Sequence, residues 1–122
     1  MRKIVIFGGA FNPPHIGHAL MIENVIRLFQ CDEIWVMPSA DRRDKVIGIK
    51  AENRLKMLKI MLAETFPKST IPILISNLEI KRKKLTTTYD TVSALEKQYP
   101  KNKFYFLLGS DSLKDVKTKW VK

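Results

Sequence analysis

The chain has 122 residues, of which 45% are hydrophobic and 28% charged, and its formal net charge is +10. This composition is typical of one globular domain and argues against a disordered chain. No apolar run approaches the roughly 20 residues of a membrane-spanning helix, and Cys31 is the single cysteine, which excludes an internal disulfide.

The positive charge has two interpretations. An excess of 22 basic over 12 acidic residues would attract polyanionic ligands, but a lysine-rich solvated surface gives the same count. The densest basic run, Lys81–Lys84, has no aromatic residues interleaved with it, unlike single-strand binders. We therefore expect no nucleic-acid partner and no membrane partner. The first apolar run ends at Gly8 after four residues, too short for a secretion signal, so we expect a cytoplasmic protein.

Strand-like apolar runs alternate with helix-like segments along the chain. The predicted strands are Lys3–Phe7, Glu33–Met37, Pro72–Ser76 and Lys103–Leu108. The predicted helices are Ile16–Phe29, Ala51–Thr65, Thr88–Gln98 and a short one that begins at Ser110. Continuous apolar strands are typical of a parallel sheet that is covered on both faces. The alternation therefore predicts an α/β fold, an open parallel sheet with helices on both faces.

The turn between the first strand and the first helix carries an unusual run, GGAFNPPHIGH, over residues 8–18. Ligands of open α/β sheets bind above the carboxyl ends of the strands, and the start of a helix attracts anions. His15 and His18 project to the same side if both lie in the first helical turn. The run therefore predicts a phosphate site, lined by these imidazoles and by the backbone of Gly8, Gly9 and Ala10.

Other nucleotide motifs are missing from the sequence. There is no Gly-x-Gly-x-x-Gly, and the second strand ends without an acidic residue for a ribose diol, which counts against a nicotinamide-dependent dehydrogenase. A P-loop is excluded for lack of its Gly-Lys-Ser/Thr. A His-x-x-His pair can also be half of a zinc site or an ordinary pair of helix-capping residues. Against zinc, the chain has no other histidine and only one cysteine. We expect no metal ligands among its side chains.

The core His15-Ile16-Gly17-His18 resembles the His-x-Gly-His signature of HIGH-type nucleotidylyltransferases, and the flanking Gly-Gly-Ala-Phe-Asn-Pro-Pro resembles nicotinate- or nicotinamide-mononucleotide adenylyltransferases. Those enzymes join a pyridine mononucleotide to the AMP part of ATP and release pyrophosphate, a step of NAD biosynthesis. The resemblance implies a Rossmann-like fold, ATP and a pyridine mononucleotide as substrates, and Mg²⁺ as the cofactor that accompanies ATP. It also implies that His15 and His18 contact the phosphates as catalytic residues. Phe11 would belong to the ATP site and Asn12 to the acceptor site.

Adenylyl transfer depends mostly on positioning and on neutralising charge, so fixed cationic donors are expected. Lys45 matches the lysine of the family's Pro-Pro-His-Lys, where it would contact phosphate as a catalytic residue, although the three residues before it depart from that pattern. A mobile charged loop is the alternative. Arg54 matches the arginine of Arg-x-x-Met-Leu, where it would either brace the neighbouring loop or be solvated.

Two further segments resemble the family's nucleotide-binding blocks. Thr88 and Thr91 match the threonines of Ser-Tyr-Thr-x-x-Thr-Leu, which holds the pyridine mononucleotide; helix capping is the alternative role. Gly109 and Asp111 match Gly-x-Asp, whose carboxylate binds nucleotide, and Asp111 would face both substrates. Trp120 matches a tryptophan that stacks on the pyridine ring, with an exposed tryptophan as the alternative.

The family's next motif, Ser-Ser/Thr-x-x-Arg, does not follow Trp120. We therefore expect residues 1–122 to be a single nucleotidylyltransferase domain that is truncated at its C-terminus, either a fragment or a shortened homologue. The four strands should lie in the order 3-2-1-4, with the family's fifth strand missing. The Lys103–Leu108 strand would then be an apolar edge and would invite self-association.

Two alternatives to the adenylyltransferase remain at this point. A short cytidylyltransferase of the glycerol-phosphate type shares His-x-Gly-His and suits the length, but its Arg-Thr-x-Gly-Ile-Ser-Thr-Thr motif is absent. A truncated or non-catalytic nucleotide-binding domain would bind ATP without turning it over. A fragment of an aminoacyl-tRNA synthetase is disfavoured because Lys-Met-Ser-Lys-Ser is also absent.

Overall fold

The computed structural model describes residues 2–11, 13–39, 50–82, 88–107 and 113–115. Its strands are β1 (Arg2–Gly9), β2 (Glu33–Pro38), β3 (Ile73–Ile75), β4 (Asn102–Leu107) and β5 (Leu113–Asp115). Its helices are α1 (Ile16–Leu28), α2 (Ala51–Thr65), α3 (Leu78–Arg82) and α4 (Thr88–Gln98). In this described part of the chain, no helix has both the length and the apolarity that crossing a membrane requires.

One sheet contains all five strands, in the order β3-β2-β1-β4-β5. β1 is parallel to β2 and to β4, and β2 is parallel to β3. The predicted order 3-2-1-4 with a central first strand is therefore confirmed. Since these four strands are parallel, their carboxyl ends share one edge of the sheet, which is where ligands bind in such folds.

The central strand divides the core between the two faces of the sheet. Val5 and Phe7 pack on one side with residues of α1 and α2, whereas Ile4 and Ile6 pack on the other with residues of α4. All four are at most 4% exposed. This alternation is the period of two expected of a strand, and it confirms the prediction of helices on both faces.

The end of the sheet differs from the sequence-based expectation. β5 pairs with β4 in the antiparallel direction, with Tyr105, Phe106 and Leu107 opposite Asp115, Lys114 and Leu113. The prediction of a four-stranded sheet whose fourth strand is an uncovered edge was therefore wrong over these positions. Exposed N–H and C=O groups along an apolar edge favour pairing with another strand. Here that strand is β5 of the same chain. Pairing with β5 covers part of this edge, and self-association through it stays a prediction.

Two local elements were also predicted incorrectly. A short helix was expected from Ser110, but residues 113–115 form a strand. Helix α3 was not predicted, because five residues are too few to show an apolar period of 3.6. It is fixed by its surroundings: the backbone N–H of Leu78 donates to Oγ of Ser76 at 3.4 Å, and the Leu78 side chain packs against the core.

Candidate functional site

The site begins where β1 ends. Phe11 has a φ of 50°, which is uncommon outside glycine. Its ring is buried, at 2% exposure, and meets the ring of Phe7 edge to face at a centroid distance of 5.1 Å. The buried ring anchors the turn, and this contact holds the backbone in its left-handed conformation.

Arg54 of α2 fastens this turn to the neighbouring strand end. Its Nη1 donates to the carbonyl oxygen of Ala10 at 2.6 Å, and its Nη2 donates to that of Ser39 at 2.9 Å. The backbone N–H of Ser39 donates in turn to the carbonyl oxygen of Gly9 at 2.9 Å. Arg54 is only 3% exposed. Of its two predicted roles, the structure therefore supports the bracing of the loop.

The two histidines cap the start of α1 reciprocally. His15 is the N-cap residue, and its Nδ1 accepts a hydrogen bond of 3.0 Å from the backbone N–H of Gly17. The backbone N–H of His15 donates to Nδ1 of His18, also at 3.0 Å. This is the capping-box arrangement, with imidazoles in place of the usual hydroxyl and carboxylate. The rings stack with their centroids 3.9 Å apart.

Gly17 is required by this stacking. A Cβ at this position would lie 2.7 Å from Cε1 and 2.9 Å from Nδ1 of His15, closer than non-bonded carbon atoms approach. The third position of His-x-Gly-His therefore leaves room for the ring of His15. Ile16, by contrast, is 77% exposed.

The capping bonds also determine where each imidazole carries its proton. A nitrogen that accepts a hydrogen bond from an N–H cannot itself be protonated, so the neutral rings carry the proton on Nε2. Each ring can then donate from Nε2. Burial, followed by the nearby His15, lowers the pKa of His18 below its usual value. The expected pair of cations is thus, in this structure, a pair of oriented N–H donors.

The pair opens onto a cleft of about 620 Å³ at the carboxyl edge of the sheet. This volume is in the range of small-molecule sites. The cleft is lined by Phe7, Gly8, Gly9, Phe11, His15, Gly17, His18, Leu20, Met21 and Asn24. The structure therefore brings together Gly8, Gly9 and Phe11 with both histidines. Ala10 is not among the lining residues, and its carbonyl oxygen faces Arg54.

Three residues of α1 that line the cleft were not identified from the sequence. Leu20, Met21 and Asn24 continue the helical face that begins at Gly17, at spacings of three, four and seven residues. The sequence held little signal for them, although the structure leaves Leu20, a large apolar residue, 53% exposed. Its place in an apolar helix made it indistinguishable from core residues.

Several predicted site residues lie outside the described residues: Asn12, Lys45, Gly109, Asp111 and Trp120. Thr88 is described as the first residue of α4. Thr91 is wholly buried, and its Oγ1 donates to Oε2 of Glu79 at 2.8 Å. The nucleotide-binding roles of all these residues stay predictions.

Comparison with known proteins finds relatives that cover almost the whole chain. The chain is 39% identical to a probable nicotinate-nucleotide adenylyltransferase of Bacillus licheniformis, over 98% of this chain and 61% of that protein. It is 35% identical to the nicotinate-nucleotide adenylyltransferase of Bacillus subtilis, over all of this chain and 62% of that protein. The chain thus spans about three fifths of the length of these relatives.

A solved structure shares the fold. The nicotinic acid mononucleotide adenylyltransferase of Plasmodium falciparum, complexed with NaAD, superposes with a TM-score of 0.76 at 30% identity, over 91% of this chain and 53% of that one. The profile of the family described as cytidylyltransferase-like matches residues 6–122. The chain therefore belongs to the cytidylyltransferase-like family, and within it resembles the nicotinate-nucleotide adenylyltransferases.

Proposed function

We propose that this chain carries the adenylyl-transfer site of a nicotinate-nucleotide adenylyltransferase. The acceptor is nicotinate mononucleotide or its nicotinamide analogue, and the products are a dinucleotide and pyrophosphate. The observation that carries the proposal is the reciprocal capping of His15 and His18 at the edge of the cleft. The names of the relatives support the choice of adenylyl transfer and of a pyridine mononucleotide.

The reaction needs no covalent intermediate. An oxygen of the acceptor's phosphate attacks the α-phosphorus of ATP in line, and the bond from that phosphorus to the bridging oxygen breaks as pyrophosphate leaves. Charge grows on the leaving oxygens, so donors fixed in advance stabilise the transition state. The Nε2–H groups of His15 and His18 can donate to these oxygens. The N-terminus of α1 adds the positive end of its dipole, and Gly8 and Gly9 let the nucleotide approach the backbone.

The remaining residues of the site are proposed from their match to the family's motifs. Lys45 would contact the triphosphate, and Gly109 and Asp111 would hold nucleotide. Asn12, Thr88 and Thr91 would serve the acceptor, whose pyridine ring would stack on Trp120. Their order along the chain is that of the family, which supports the assignment as a set. We place the reaction in the cytoplasm.

Magnesium would enter this site together with ATP. No group of three or more His, Cys, Asp or Glu side chains suited to a metal ion occurs within the described ranges. The cleft offers mainly imidazole, backbone and apolar groups, whereas Mg²⁺ prefers oxygen ligands. The described residues therefore do not fit a magnesium site of the protein's own. The phosphates would carry the ion.

An assay of nucleotide and acceptor choice tests the proposal. The chain is incubated with Mg²⁺ and either ATP or CTP, together with nicotinate mononucleotide, nicotinamide mononucleotide or glycerol phosphate. We expect a dinucleotide and pyrophosphate from ATP with a pyridine mononucleotide, and formation at least about a hundredfold slower from a His18→Ala control. Transfer from CTP to glycerol phosphate would instead establish the cytidylyltransferase. Binding of ATP without any transfer would establish a nucleotide-binding domain.

A further inference from the structure

The bond between Thr91 and Glu79 joins helices α3 and α4. Thr91 lies in the first turn of α4 and is 0% exposed, although it carries a hydroxyl group. Its Oγ1 donates to a carboxylate oxygen of Glu79 in α3, 12 positions earlier in the chain. Hydrogen bonds to an ionised acceptor are stronger than neutral ones, and a buried hydroxyl is costly to leave without a partner. The bond therefore holds the start of α4 against α3.

Helix α3 is itself held at the carboxyl edge of the sheet. The backbone N–H of Ser76 continues the ladder beyond β3 by donating to the carbonyl oxygen of Val36 at 2.8 Å. The N–H of Leu78 then donates to Oγ of Ser76, and the Leu78 side chain packs against the core cluster that includes Met37 of β2. Glu79 therefore has a fixed place relative to the end of β2, the strand next to β1 and its cleft.

The apolar contacts of α4 do not determine this position by themselves. Val92 and Leu95 are 4% and 2% exposed and pack on the same core cluster as Ile4 and Ile6. Hydrophobic contacts fix how closely a helix approaches the sheet, but they are not directional. A hydrogen bond is directional. The contact of Thr91 with Glu79 thus constrains the rotation and axial position of the first turn of α4.

We propose that Glu79 is a positioning residue for the acceptor, acting through Thr91 on the first turn of α4. This inference rests on the proposed function, since that turn carries the residues that we assign to the pyridine mononucleotide. The hydroxyl of Thr91 faces Glu79 in the interior, so Thr91 acts by placing the backbone of residues 88–91. Glu79 lies outside the motifs of the sequence analysis and is assigned here from its contact alone.

Four single substitutions distinguish the effect of losing the hydrogen bond between Thr91 and Glu79 from the effect of changing the shape of the side chains. Thr91→Val removes the hydroxyl and keeps the volume, whereas Thr91→Ser keeps the hydroxyl. Glu79→Ala removes the acceptor, whereas Glu79→Gln keeps an acceptor oxygen. We expect Thr91→Val and Glu79→Ala each to weaken binding of nicotinate mononucleotide about tenfold, as for loss of one charge-assisted hydrogen bond, while the affinity for ATP changes less than twofold. The conservative variants should bind both ligands nearly as the original chain does.

Titration calorimetry of each ligand with the chain and its variants measures these affinities. Together, Thr91→Val and Glu79→Ala should be less damaging than the sum of the two single changes, because both remove the bond that they share. Backbone amides of residues 92–95, which donate into the first turn, should exchange faster in both variants. Equal losses of ATP and acceptor affinity would refute the role of Glu79, as would an acceptor affinity that Thr91→Val leaves unchanged. If the original chain binds no pyridine mononucleotide, the proposed function itself is refuted.

Discussion

Arg54 and Ala10 are 44 positions apart in the chain, yet the guanidinium of one lies 2.6 Å from the carbonyl oxygen of the other. The same guanidinium holds Ser39, so one buried side chain joins α2 to the ends of β1 and β2. Arg54 thus holds in place the backbone at the carboxyl ends of β1 and β2, next to the cleft.

Replacing Arg54 by Ala should destabilise the fold. Two carbonyl oxygens lose a charged donor, and hydrogen bonds to charged groups contribute about 1.5–3 kcal/mol each, so we expect a loss of roughly 3 kcal/mol or more in the free energy of unfolding. Urea denaturation measures the change. Lys56→Ala, an exposed change on the same helix, is the control and should cost less than about 0.5 kcal/mol. Equal effects of the two substitutions would contradict the bracing role.

Gly17→Ala should lower adenylyl transfer while leaving the stability of the fold nearly unchanged. Alanine is favoured over glycine in a helix by about 1 kcal/mol, but its Cβ would lie 2.7 Å from the ring of His15. The ring must turn away and give up its bond to the backbone N–H of residue 17. We expect little change in the unfolding midpoint and a loss of adenylyl transfer of at least about tenfold, as expected for misplaced catalytic groups. Ile16→Ala, at the neighbouring exposed position, should leave transfer unchanged; a similar loss there would refute the steric explanation.

His18→Ala should lower turnover by about two orders of magnitude or more, since removing a fixed donor to developing charge typically costs that much. His18→Gln is the informative partner variant, because glutamine at the third helical position also completes a capping box. It should restore the stability that the alanine variant loses, but not the turnover. Chemical denaturation and initial rates, measured on the same preparations, distinguish the two effects. Full activity in the alanine variant would exclude His18 from catalysis.

Acid should destabilise the chain through His18. Its pKa in the folded state is lowered, by burial first and by His15 second. The unfolded chain therefore binds this proton more readily than the folded one. The stabilisation is fully present above the ordinary histidine pKa of about 6.5 and is lost as the pH falls below it. Urea denaturation between about pH 7.5 and pH 5.5 should show this slope in the original chain and a shallower one in His18→Gln. Identical slopes would contradict the prediction.

The sequence predicted the parts of the fold that depend on local patterns. The apolar run Ile4–Phe7 and the periodic residues of α1 and α2 determine buried strands and amphipathic helices directly, and β1 is central as expected. β5 could not be predicted, because Leu113–Asp115 is short and has no apolar alternation. Its strand conformation comes from pairing with β4, a tertiary contact that no local pattern records.

Only the part of the candidate site that lies in one local motif could be predicted from the sequence. His15 and His18 were identified because both lie in one short motif, and their spacing places them in one helical turn. The neutral, Nε2-protonated form of the pair depends on hydrogen bonds to backbone groups, which the spacing does not reveal. Glu79 meets Thr91 across two helices, and nothing in the sequence around Glu79 indicates that contact.

The reciprocal cap of α1 has a consequence for how the site can be observed. The backbone N–H of His15 donates a hydrogen bond to the imidazole of His18, and that of Gly17 donates one to the imidazole of His15. When the first turn of α1 frays, these hydrogen bonds break, and the two imidazole rings lose their orientation at the same time. The solvent-exchange rates of these two amides report directly on whether the donors are in place, in the absence of any nucleotide and without an activity measurement.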